Sequence, residues 1–219
     1  MRVFLLGLSL AVALCWPQTQ IDDAEERMLG PLKRAGVDLD DEAALIRALH
    51  RTGDLGMPCS AAYALGKLPK TPAVLSELNA AALSEDEILM NYAIRSLLKH
   101  GDREWVDGAV ARLPNVREDR QRLHLAGELA RVGRFDGWDM IAAAIVTGHL
   151  WQRETALLEV GNFRGMKDAS GKQIDLLATL DELAMRAPES ARSDIFRAIV
   201  RIGVENDPEL QRKRRSVAK

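Results

Sequence analysis

Two cysteines in 219 residues, Cys15 and Cys59, are too few for a disulfide framework or a cysteine-rich metal site. Aromatic residues make up only 5% of the chain, and runs of β-branched residues are nearly absent, so the usual material of strands is missing. Neither sign of charge dominates. Thirty basic side chains face 32 acidic ones for a net charge of −2, which gives no global field of the kind a nucleic-acid binder carries, although a local basic stripe stays open. Catalytic signatures are also missing: there is no G-x-S-x-G elbow, no glycine-rich phosphate loop and no H-E-x-x-H. Of the four histidines (His50, His100, His124 and His149), His100 and His149 stand beside a glycine at expected helix ends, where a cation near a C-terminus is ordinary. The acidic group Asp38, Asp40, Asp41 and Glu42 lacks the glycine and terminal glutamate of a calcium loop, and reads as a helix cap. No enzyme chemistry, cofactor or metal is expected.

What the chain has in quantity is Ala, Leu, Glu and Arg, all good helix formers. With 47% hydrophobic and 28% charged residues it can build a core, and the composition points to an all-α protein. The N-terminus reads as an export signal over residues 1–20. Arg2 supplies a charge, Val3 to Leu14 is an uncharged apolar run too short to span a bilayer, and Ala11 and Ala13 form an A-x-A cleavage pattern. A periplasmic or secreted protein follows, with no membrane span in the mature chain. Cys15 would suit a lipid anchor, but it follows Leu14, where such cysteines follow a small residue. Cleavage beyond Cys15 would leave Cys59 as the only thiol.

The informative feature is internal repetition. Helix-stopping residues fall at Pro69, Gly101, Gly133 and Gly165, each 32 residues after the last. Apolar or small residues recur eight, seven and four positions ahead of each stop, as in Ala61, Ala62 and Leu65. A fifth copy ends at Gly203 after 38 residues, and its six extra residues fall in the polar stretch Lys167 to Lys172. Each unit reads as two short amphipathic helices. The first carries apolar residues at helical spacing (Val74, Leu75, Leu78 and Ala82), and the second ends at Gly or Pro. Neither helix has enough apolar face to stand alone, so neighbouring units must stack. Small Ala61, Ala93 and Ala126 would let helices approach closely. Trp105 and Trp138 recur just after a stop and read as wedges between units, while Trp151 lies in a loop and Trp16 near the signal boundary.

The segment Glu42 to Leu68, with Leu45-Ile46-x-Ala48-Leu49 and then Ala61-Ala62-x-Ala64-Leu65-Gly66, resembles a HEAT repeat. More narrowly, it is similar to the bacterial HEAT-like repeats also found in phycobilisome lyases. The likeness extends over roughly Asp41 to Glu205. The family places Val-Arg four residues before its Ala-Ala pair; here Met57-Pro58 and Leu89-Met90 stand there, and only Arg122 and Arg192 match the arginine. The resemblance implies a right-handed α-solenoid of about five helix pairs over 41–205. A capping helix would occupy 21–40, and a basic cap or tail 206–219 with the run Arg212-Lys213-Arg214-Arg215. Such repeats serve scaffolds, adaptors and a few enzymes, so they speak to fold more than function.

In arrays of this type the second helices line the concave surface. One row of outward positions there reads Tyr63, Arg95, Gly127, Glu159, Arg197, and the next reads Lys67, Lys99, Arg131, Phe163, Arg201, with Tyr92 and His124 adjacent. Arginine, lysine and aromatics on one surface suit a protein or peptide partner with acidic segments. The expectation is therefore a HEAT-repeat adaptor. Two other classes stay in view: a lyase-like enzyme or accessory handling a small ligand, and a nucleic-acid-binding solenoid, which an export signal weighs against.

Overall fold

The computed structural model describes residues 19–168 and 170–205, with side chains from 25 to 168 and from 170 to 203. The export signal with Cys15 and Trp16, except for residues 19 and 20, and the basic run at 212–215 lie outside the described residues. Among the described residues the chain is all-helical, with α-helices and short 3-10 turns and no strand. The helices are α1 (Thr19–Arg34), α2 (Glu42–Leu49), α3 (Gly56–Leu65), α4 (Pro72–Ala82), α5 (Glu87–Lys99) and α6 (Glu104–Arg112). They continue with α7 (Asp119–Arg131), α8 (Trp138–Thr147), α9 (Leu150–Glu159), α10 (Leu176–Arg186) and α11 (Glu189–Glu205). None of them is long and apolar enough to cross a membrane.

Local chemistry sets the helix ends. Asp41, Thr71, Asp86 and Asp175 each accept a hydrogen bond from the backbone N–H three residues on, which starts α2, α4, α5 and α10. Asp41 thus does the capping expected of its acidic cluster. At the other end, Gly101, Gly133 and Gly165 adopt positive φ of 71°, 88° and 70°, the left-handed conformation that closes a helix and that glycine enters without a Cβ clash. Gly203 behaves differently from the expectation. It is not in the left-handed region, and α11 runs through it to Glu205. His149 also differs: it stands at the N-cap of α9, where its side chain and that of Gln152 form a reciprocal capping box, rather than at a helix C-terminus.

Two compact units are present, Gln20–Gly137 and the residues from Trp138 onward. In the first, α2 pairs with α3, α4 with α5 and α6 with α7, and the second helices pack in series, α3 on α5 and α5 on α7. Leu45, Leu65, Val74, Leu78, Leu97, Leu125 and Leu129 are wholly buried between them, as are Ala61, Ala93 and Ala126. The alanines allow close approach, and the Ser96 hydroxyl donates to the Ala62 carbonyl at 2.8 Å across the α3–α5 seam. His100 contacts the Leu65 carbonyl at 3.0 Å on the same seam. Trp105 donates its indole N–H to Asn79 of the preceding pair, consistent with a wedge.

In the second unit α8 pairs with α9 and α10 with α11, and α9 packs on α11 while α8 packs on α10. Ile141, Ile145, Val160, Leu180 and Ile195 form its core. Arg153 is buried there, donating to the carbonyls of Ile145 and Gly148 and lying 3.9 Å from Asp194. The six extra residues belong to the polar stretch between α9 and α10. In it Asp168 accepts from the Ser170 hydroxyl and from the backbone of Ser170 and Lys172, and these bonds hold its carboxyl below the usual range.

Candidate partner-binding face

Three second helices of the first unit carry seven of the expected binding residues. Tyr63 and Lys67 lie one turn apart on α3 and its C-terminal turn, Tyr92, Arg95 and Lys99 follow one face of α5, and His124 and Arg131 lie on α7. Because α3, α5 and α7 pack in series, side chains some thirty positions apart come within reach of one another. The Lys67 and Lys99 ammonium groups sit over the Tyr63 ring, at 4.9 and 4.7 Å from its centroid. The Arg95 guanidinium lies 5.3 Å from the Tyr92 ring centroid and donates to Gln121 Oε1 at 3.2 Å.

The cations here are not equivalent. Lys67 forms an ion pair with Glu25. Burial alone would lower the pKa of its ammonium, but Glu25 and then Tyr63 outweigh that and raise it. Glu128, buried on α7, lies 3.7 Å from Lys99 and 3.6 Å from Arg131, neutralising part of both. Arg95 is only 6% exposed, and among the described residues no carboxylate pairs with it. Its Nε is buried without a hydrogen-bond partner. Tyr92 is held above the usual phenol range by burial, against the opposing pull of its bond to Gln121 and of Arg95.

No protein-family model and no curated protein matches the chain.

Several expected surface residues are placed otherwise. Phe163 is wholly buried and packs edge-on against Trp138 at 5.3 Å, so it belongs to the core. The 3-10 turn Val160–Phe163 follows α9 there, and an aromatic ring gains by burial where Lys67, Lys99 and Arg131 carry charge to the surface. Arg95, Gly127 and Glu159 are buried too. Glu159 accepts from Asn162 at 2.9 Å. Arg197 pairs with Asp194 at 2.9 Å, and Arg201 donates to the Leu157 carbonyl, so both are engaged within the second unit. Tyr63, Tyr92, Lys99 and His124 are half-buried, and Lys67 and Arg131 are exposed.

Sequence reasoning missed Gln121, Glu128 and Glu25. The first two were within reach, since 121, 124, 128 and 131 share one face of a helix and a lone acid among cations is a natural partner. Glu25 was not, because its neighbour Lys67 comes from a distant helix. Other chemistry is sparse. Cys59 is buried, and burial first, with Asp86 and Asp54 adding to it, pushes its thiol up to about 12, far from a reactive thiolate. No cluster of three His, Cys, Asp or Glu side chains suited to a metal exists among the described residues. In the second unit, an open groove of about 360 Å³ runs between α8 and α10, with Ala142, Ala143 and Val146 at its apolar wall and Asp139, Glu182 and Arg186 at its rim.

Proposed function

We propose that the chain is an α-solenoid of about five HEAT-like helix pairs, exported from the cytoplasm, that acts as an adaptor. Its concave face, carried by the second helices, holds a protein or peptide partner. One observation supports this above the rest: across the α3–α5 seam Lys67 and Lys99 lie over the Tyr63 ring, and on α5 Arg95 lies against the Tyr92 ring. Tyrosine and arginine are the residues that anchor protein interfaces, since they offer large contact area and directed hydrogen bonds. A solvated helix face has no need to stack its cations on aromatic rings.

The nucleic-acid reading is weaker. Lys67, Lys99 and Arg131 each have an internal carboxylate, which lowers the field available to a polyanion. A small-ligand protein is supported by the groove between α8 and α10, whose volume lies in the range of such sites.

A tagged full-length chain recovered from the exported fraction should bring down a partner. The double variant Lys67→Glu, Arg131→Ser changes two exposed side chains and should reduce that capture at least about tenfold, the loss expected when ~1.4 kcal/mol of interface energy goes. Its melting temperature serves as the folding control. Undiminished capture by a folded variant would reject the concave-face reading, and recovery only from the cytoplasm would reject export.

A further inference from the structure

We infer that Arg95 is a docking point for a carboxylate of an acidic peptide segment, which the partner-binding reading leaves unspecified and on which this step rests. A guanidinium carries five N–H donors and a full positive charge, and burying it without an opposite charge is unfavourable. Arg95 is only 6% exposed, yet its polar partner among the described residues is the neutral Gln121, with the Tyr92 ring beside it. Its Nε is buried and unbonded. Arg153, buried to a similar degree, has two backbone carbonyls and Asp194.

The surroundings select the ligand. Lys99, one turn along α5 from Arg95, already has Glu128 within reach, as does Arg131. Lys67 already has Glu25. Glu25 and Glu128 thus stand against Lys67, Lys99 and Arg131, while Arg95 is the one of these cations with no carboxylate beside it among the described residues, and its single guanidinium matches one carboxylate. Tyr92 and Lys99, three residues before and four after Arg95 on the same side of α5, are half-buried, so this side of the helix is partly open to solvent on both sides of Arg95, which is itself 6% exposed. Its planar fork suits two-point contact with a carboxylate. The Tyr92 ring beside it would cover the neighbouring peptide.

The test is titration of the purified full chain with an end-capped hexaglutamate peptide at low ionic strength, with hexaglutamine and glutarate as parallel probes. Saturable hexaglutamate binding is expected, at least tenfold weaker in Arg95→Met. Because that variant removes a buried charge and keeps most of the volume, its melting temperature should equal or exceed that of the parent. Arg95→Lys keeps the charge without the fork and should bind with intermediate affinity; should Arg95→Met fail to fold, that variant decides, and undiminished binding by it overturns the proposal. So do absence of hexaglutamate binding, equal binding of hexaglutamine, unchanged binding by Arg95→Met, or a melting loss in Arg95→Met with binding kept. Glutarate binding as tight as hexaglutamate would overturn the peptide assignment. Capture of the partner that is lost in the Lys67→Glu, Arg131→Ser variant but retained in Arg95→Met would remove the carboxylate site while leaving the adaptor reading intact.

Discussion

Phe163→Ala is expected to lower the stability of the chain by about 3–5 kcal/mol, in the range measured for emptying a large aromatic site in a core. Phe163 is wholly buried in the 3-10 turn that closes the fourth helix pair, with its ring edge against Trp138. Alanine would remove the ring contacts and leave a void that the short turn cannot collapse into, because Val160 beside it is wholly buried as well. Phe163→Leu keeps most of the volume and should cost far less, about 1 kcal/mol. Denaturant unfolding monitored by circular dichroism measures both. A charged-surface role for this position would instead leave stability nearly unchanged in either variant.

The second large effect is expected at Gly137, which joins the third helix pair to α8. A Cβ built there would lie 2.4 Å from the Ala126 methyl carbon and 2.9 Å from the Ala126 α-carbon, closer than non-bonded carbons come. The second of those atoms is backbone, so relief requires α7 or the segment at Gly137 to move. Gly137→Ala should therefore cost about 2–3 kcal/mol, at the upper end of overpacking penalties. In the background of Ala126→Gly the clash with the methyl disappears while the clash with the backbone stays. The same substitution should then cost clearly less, and the two changes should be coupled by about 1 kcal/mol in a double-mutant cycle. Additive effects would show that the small residues do not set the approach of these segments.

Small residues and stops are where the sequence was most readable. The pattern of Ala61, Ala93 and Ala126 ahead of Pro69, Gly101 and Gly133 anticipated helix pairs with close seams, and the backbone of Gly101 and Gly133 has the conformation that stopping a helix requires. Gly203 shows the limit of that logic. Glycine permits the left-handed turn without compelling it, and α11 continues through Gly203 to Glu205. The binding face was only half legible. Spacing put Tyr92, Arg95 and Lys99 on one side of α5, but spacing is blind to how far each side chain is covered by the next helix. Phe163 and Arg95 were placed by tertiary packing, one into the core and the other onto Gln121 and Tyr92. Glu128 mattered for the same reason: a buried acid between two cations changes what those cations can offer a partner.

Backbone hydrogen exchange of the full chain, alone and with its captured partner, reaches the central proposal most directly. The expected result is slowed exchange in peptides covering 87–99 and 119–131, the helices that carry Arg95 and Arg131, with little change over 138–147 and 176–186. Protection confined to those last two segments would move the binding site to the groove of the second unit and contradict the proposed face.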